Sequence, residues 1–151
     1  MKRILAVTVL GAAFASFALA ASAAPKSATL NIRHQVRGCH AWSLNGGAFK
    51  AVQTIHLARG ASLMVTNNDV MPHQVVKTSG PAIQVKLISR GMGMGVASHG
   101  VGMMSHMGAS VKVTFPAAGV YRLMTKAGED YMEMGPTIGE DNVLRAVVTV
   151  S

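Results

Sequence analysis

Cysteine is almost absent from this sequence, because Cys39 is the only one among 151 residues. A single thiol cannot form an internal disulfide, and it cannot supply the paired thiolates of structural zinc or iron–sulfur sites. Charged residues are also scarce, at 13% of the chain against 50% apolar residues. This balance excludes a disordered chain and favours one compact domain.

Blocks of basic residues are missing as well. Lys and Arg number 14 against six Asp and Glu, but the basic residues are scattered singly, so the sequence does not predict a nucleic-acid binder. No nucleophile and base stand at a recognisable spacing. Gly91-x-Gly93-x-Gly95 has no preceding strand and following helix, so it does not indicate a phosphate-binding loop. We therefore do not expect an enzyme.

The N-terminus has the three parts of a secretory signal. Lys2-Arg3 precede an apolar run that continues to Ala20, and small residues follow. The pattern predicts a cleaved signal peptide over residues 1–23 and a mature domain over 24–151. We expect an exported protein, periplasmic or secreted, with no membrane span after cleavage.

The mature chain shows the alternation of short strands, with no long stretch at helical period. Apolar and polar residues alternate within segments that Gly, Pro and Asn turns separate. The predicted strands are 30–36, 52–57, 62–67, 73–77, 111–115, 119–125 and 143–150. Alternation places His34 on the core side of its strand and His56 on the solvent side of its own. About seven such strands favour an all-β sandwich over an α/β sheet.

Two segments resemble the cupredoxins. Residues 67–76, Asn-Asn-Asp-Val-Met-Pro-His-Gln-Val-Val, resemble the segment in which a strand ends in an Asn-Asp turn and a Pro-His pair presents the first copper-binding histidine. Residues 115–123 resemble the run that enters the cupredoxin ligand loop, and 144–150 resemble its closing strand. The resemblance implies a cupredoxin-like Greek-key β-sandwich and His73 as a copper ligand. Turn capping is the alternative role for His73.

The ligand loop departs from the cupredoxin pattern. By spacing, the cysteine position falls on Thr125, and Glu129 or Asp130 stands about where the second histidine is expected. Only Met132 or Met134 keeps the residue type of the weak axial ligand. This loop therefore cannot supply the His₂Cys set of a blue-copper site. Glu129 is either a carboxylate ligand or one of several solvated loop charges.

Residues 38–42 offer a second source of ligands. They contain the only thiol, Cys39, with His40 beside it, and they resemble the strand with Gly and Trp near the metal in the cupredoxin domain of cytochrome oxidase subunit II, although one more residue separates Gly38 from Trp42 here. Adjacent residues on a straight strand point to opposite faces, so both can bind one ion only if the chain bends at Gly38. Convergence with His73 and a methionine would give a soft set that selects copper. A buried, non-ligating cysteine is the alternative.

The segment 91–108 is rich in Met, Gly and His. It holds five of the 11 methionines, and its glycines predict a flexible loop without regular structure. Thioethers with occasional imidazoles suit Cu(I), so an auxiliary copper site competes here with an inert linker. The candidate auxiliary ligands are Met92, Met94, His99, Met103, Met104, His106 and Met107.

Three functional hypotheses follow. The first is an exported copper-binding protein for storage, delivery or tolerance, which binds Cu(I), Cu(II) or both and exchanges copper with another exported copper or redox protein. The second is an electron carrier with a rearranged site of Cys39, His73 and a methionine. The third is a metal-free interaction module that uses the acidic segment 129–141 or the methionine-rich loop as a partner surface.

Overall fold

A computed structural model describes residues 23–34, 40–92, 101–127 and 144–151. These segments form eleven β-strands. None of these residues belongs to a helix long and apolar enough to cross a membrane. The strands are β1 Ser27–His34, β2 His40–Leu44, β3 Phe49–Lys50, β4 Val52–Leu57, β5 Ser62–Asn67, β6 His73–Ser79, β7 Gln84–Arg90, β8 Met103–Met104, β9 Ala109–Thr114, β10 Gly119–Ala127 and β11 Arg145–Val150.

The strands form two sheets. One sheet has six strands in the order β3-β2-β1-β5-β9-β7, and the other has five in the order β4-β11-β10-β6-β8. Two neighbouring pairs, β1 with β5 and β11 with β4, are parallel, and the remaining pairs are antiparallel. β6 lies between β10 and the short edge strand β8. The neighbours of His73, the first residue of β6, therefore come from these two strands.

The core lies between the two sheets. Burial alternates along β4, β5 and β11, as expected for strands with one face toward a core. The inward side chains of both sheets form one apolar cluster whose largest members are Trp42, Tyr121 and Phe115. The rings of Phe115 and Tyr121 meet edge to face at 4.9 Å, and the Tyr121 hydroxyl donates a hydrogen bond of 2.6 Å to the Ala117 carbonyl. The hydroxyl group of the buried Tyr121 therefore has a hydrogen-bond partner within the sandwich.

The predicted all-β sandwich is confirmed, and the strands predicted at 52–57 and 62–67 match β4 and β5 in their bounds. His56 is exposed, as alternation predicts. The prediction for His34 is wrong, because this residue is exposed at the end of β1. Alternating burial in β1 stops at Ile32, so the last two residues of the strand run past the core.

Candidate metal site

The turn between β5 and β6 is built by side chains that bond to the backbone. Asn67 is fully buried, and its Oδ1 accepts a hydrogen bond of 2.9 Å from the Asp69 N–H. Asp69 Oδ1 in turn accepts a bond of 3.2 Å from the Met71 N–H. Asn and Asp side chains favour such local turns because they bond to the backbone two residues further on. This turn, followed by Pro72, places His73 at the first position of β6.

Asn67 also joins this turn to β8. Its Nδ2 donates to the Met71 carbonyl at 2.7 Å and to the Met104 carbonyl at 3.1 Å. One buried amide therefore fixes the backbone at two methionines that are distant in sequence. The arrangement uses both donors of the amide, which a buried polar group needs to be stable.

His73 is a fully buried imidazole with a buried carboxylate beside it. Its Nε2 lies 3.6 Å from Asp69 Oδ2, and neither side chain is accessible to solvent. This separation is longer than a hydrogen bond. Charged and polar groups are costly in a core unless they are paired, so the two residues stabilise each other's burial.

β8 brings a thioether to the same place. In the antiparallel pair of β6 and β8, His73 lies directly opposite Met104, and Gln74 lies opposite Met103. Residues that oppose each other in this way lie on the same face of the sheet, with Cβ atoms about 4.5–5.5 Å apart. Met104, like His73, is fully buried. An imidazole and a thioether are thus neighbours on the inner face.

Glycines fix the segment that carries β8. Gly102 has φ +82°, and a Cβ at this position would stand 2.7 Å from the Val75 carbonyl oxygen. The Val75 N–H donates to the Gly102 carbonyl at 3.0 Å, and the Gly108 N–H donates to the Asn67 carbonyl at 2.6 Å. Within residues 101–108 only Met103–Met104 form a strand, and the close approach of Gly102 to Val75 permits this pairing with β6, while the flexibility predicted for the loop stays a prediction. Residues 93–100 lie outside the described part of the chain.

The proposed auxiliary ligands do not share one environment. Met92 is 83% exposed and Met107 is 41% exposed, while Met103 and His106 are half-buried. Only Met104, among those within the described residues, is fully buried. Met94 and His99 lie outside these residues, as do Cys39, Glu129, Met132, Met134 and the acidic segment 129–141. His40 begins β2, but its side chain also lies outside the description.

Thr125 is the residue that the spacing assigns to the cupredoxin cysteine, and this assignment stays a prediction. It is fully buried on β10, opposite Val75 of β6. Its N–H donates to the Leu144 carbonyl at 2.9 Å, and its hydroxyl accepts a 3.4 Å contact from the Leu144 N–H. The hydroxyl therefore helps to hold β10 and the start of β11 together.

The chemistry of the donors decides which ion the site suits. Within the described ranges, no three His, Cys, Asp or Glu side chains converge to hold a metal ion. The neighbouring imidazole and thioether are a soft pair, and such donors fit Cu(I). Sequence reasoning singled out His73 but missed Asp69 as its partner, although the Asn-Asn-Asp turn was visible.

Comparison with solved structures gives the kind of sandwich. The fold is cupredoxin-like. A solved structure of an amicyanin variant in its reduced state is 17% identical, with 82% of each chain covered and a TM-score of 0.39. Fet3p, a multicopper oxidase that functions in iron import, is 9% identical over 82% of this chain, with a TM-score of 0.48. A multicopper oxidase from Campylobacter jejuni is 17% identical over 84% of this chain, with a TM-score of 0.46.

This chain spans 27% of the length of Fet3p and 30% of the Campylobacter oxidase. No family model matches the chain, and no curated protein sequence matches it. The structural likenesses concern the fold alone, and they carry no argument about the site.

Proposed function

We propose that this protein is an exported copper-binding protein that acts in copper storage, delivery or tolerance, with His73 as a ligand. The observation that carries the proposal is the fully buried His73 imidazole, which the turn from Asn67 holds beside the Asp69 carboxylate. The resemblance of this segment to the cupredoxin Pro-His motif supports it, and the signal-peptide pattern supports export.

The carboxylate has a specific use in such a site. A metal-binding histidine commonly turns its second ring nitrogen to a carboxylate, which orients the ring and raises the basicity of the ligand. Asp69 lies beside Nε2 of His73, so its carboxylate is placed to orient the ring in this way. Copper is the cargo in this proposal, and the sandwich supplies a dry, shaped position for it.

Anaerobic Cu(I) titration against a competing chelator tests this function. The variant is His73→Gln, which keeps a polar group beside Asp69, and the control is His56→Gln on the exposed face of β4. Loss of a partner that only orients a ligand costs 10–100-fold in metal affinity, so loss of His73 itself should cost at least about tenfold. His56→Gln should bind copper as the wild type does.

Equal Cu(I) affinity in the wild type and His73→Gln would contradict the proposal, and so would a wild type that binds neither Cu(I) nor Cu(II). Far-UV circular dichroism shows whether each variant folds. If His73→Gln does not fold, the imidazole ¹⁵N resonances of the wild-type protein give the same information, because only the ligand ring should shift on addition of Cu(I).

The electron-carrier hypothesis depends on Cys39, which lies outside the described residues, and it stays a prediction. An intense visible band of the oxidised copper-loaded protein that is lost in Cys39→Ser would favour it. The metal-free interaction module would be favoured if neither oxidation state of copper binds to the wild type.

A further inference from the structure

We infer that Met104 is a second ligand of the site at His73, through its thioether sulfur. The site would then consist of one nitrogen and one sulfur from the neighbouring strands β6 and β8. This inference rests on the proposed function, and it replaces the auxiliary loop site that the sequence suggests with a single site on the sandwich.

The register of β6 and β8 places the two side chains next to each other. His73 and Met104 are directly opposed in the antiparallel pair, so their side chains leave the sheet on the same face. Both are fully buried, which places that face against the core rather than in solvent. Methionine has three rotatable side-chain bonds, and this freedom lets its sulfur adjust to an ion on the neighbouring imidazole.

The backbone around Met104 is held from two sides. Asn67 Nδ2 binds the Met104 carbonyl, and the Gly102 carbonyl accepts from the Val75 N–H of β6. The turn that positions His73 is therefore the same one that positions Met104. A ligand pair needs such shared support, because small displacements of either donor weaken binding.

The charges of the buried groups favour Cu(I) over Cu(II) at this position. Asp69 is the only acidic residue in the described part of the chain, and it is buried against His73. Imidazole and thioether are neutral donors, so Cu(I) with Asp69 leaves no net charge in the core. Cu(II) would leave one uncompensated positive charge there, which burial penalises.

The competing role for Met104 is core packing, since it belongs to the apolar cluster. Sulfur distinguishes the two roles, because Leu fills a similar volume without a donor atom. The test is the anaerobic Cu(I) titration of Met104→Leu. Met103→Leu is the matched control, since Met103 is the adjacent residue of β8 and lies opposite Gln74 rather than His73.

We expect Met104→Leu to lower Cu(I) affinity at least about tenfold, the cost typical of losing a supporting group in a metal site. Met103→Leu should bind as the wild type does, and both variants should keep the thermal unfolding of the metal-free protein nearly unchanged. In wild-type protein with ¹³C-labelled methionine methyl groups, the resonance missing from Met104→Leu should shift on addition of Cu(I).

Each contrary result has a distinct meaning. Wild-type affinity in Met104→Leu together with a loss in His73→Gln would overturn this inference and leave the proposed function standing. Equal losses in Met103→Leu and Met104→Leu would also overturn it, since that pattern belongs to a methionine-rich scavenging loop. No Cu(I) binding by the wild type would overturn this inference, and no binding of either Cu(I) or Cu(II) would overturn the function as well.

Discussion

Asn67 joins more of the site than any other single side chain described above. It accepts from Asp69 and donates to the carbonyls of Met71 and Met104, all from a fully buried position. These bonds support the turn before His73 and the backbone at Met104. The site therefore depends on a residue that does not touch the proposed metal.

Replacing Asn67 with Ala should lower the free energy of unfolding by about 2–4 kcal/mol. Three hydrogen bonds are lost, each with a net contribution of about 0.5–1.5 kcal/mol, and two carbonyls lose a buried donor. Urea denaturation measures the change. The control is Asn68→Ala, because Asn68 is exposed and substitutions at such positions usually stay within about 0.5 kcal/mol. Equal effects at the two positions would contradict the proposed role of Asn67.

At this scale the sequence predicted some of the site and missed the rest. His73 was singled out because its motif is contiguous, and Thr125 was assigned by spacing along one strand; the roles given to both residues stay predictions. The neighbours of His73 were not, since Met104 reaches it through a pairing between strands that are distant in sequence. The prediction that His34 faces the core was wrong for a local reason. Alternation indicates the face of the strand on which a residue lies, but not where along the strand the core ends.

The element that the sequence least indicated is β8. Its two residues lie in a segment so rich in glycine that a loop was expected, yet the glycines serve the close approach to β6. β7 was missed for another reason. It is an edge strand with a register shift between Leu87 and Ser89, and Leu87 and Ile88 are both exposed, so regular alternation is lost. Strands with one clear buried face, such as β4 and β5, were predicted in full.

Gly102→Ala should displace β8 and weaken Cu(I) binding together. The Cβ would meet the Val75 carbonyl, and φ +82° is strained for Ala. We expect a loss of about 2–4 kcal/mol in unfolding free energy, since strain of this kind costs about 1–3 kcal/mol before the clash is added. Gly46→Ala is the matched control, with φ +75° and nothing within 4 Å of its Cβ.

Gly46→Ala should cost only the backbone strain and leave the affinity for Cu(I) unchanged. Urea denaturation and the chelator titration measure both quantities on the same preparations. If Gly102→Ala binds Cu(I) as tightly as Gly46→Ala, the position of β8 does not matter to the site. A deletion of residues 91–108 is a poorer test, because it removes β8 and its glycine contacts as well as the loop.

For the molecule as a whole, we expect folding to be independent of metal binding. One apolar cluster spans both sheets, so the sandwich should fold without copper. Copper that binds the folded chain should then stabilise it by mass action, by about 2.7 kcal/mol when free Cu(I) is 100 times its dissociation constant. Anaerobic thermal unfolding should show this rise for the wild type and a much smaller one for His73→Gln. A rise of the same size in both would place the copper elsewhere in the chain.

X-ray absorption at the copper K-edge of the Cu(I)-loaded wild-type protein tests the central claim most directly, because it distinguishes nitrogen from sulfur neighbours of the metal. The account predicts both kinds of neighbour, with the nitrogen contribution lower in His73→Gln and the sulfur contribution lower in Met104→Leu. A copper ion surrounded by sulfur alone, or a spectrum that neither substitution changes, would contradict a copper site shared by β6 and β8.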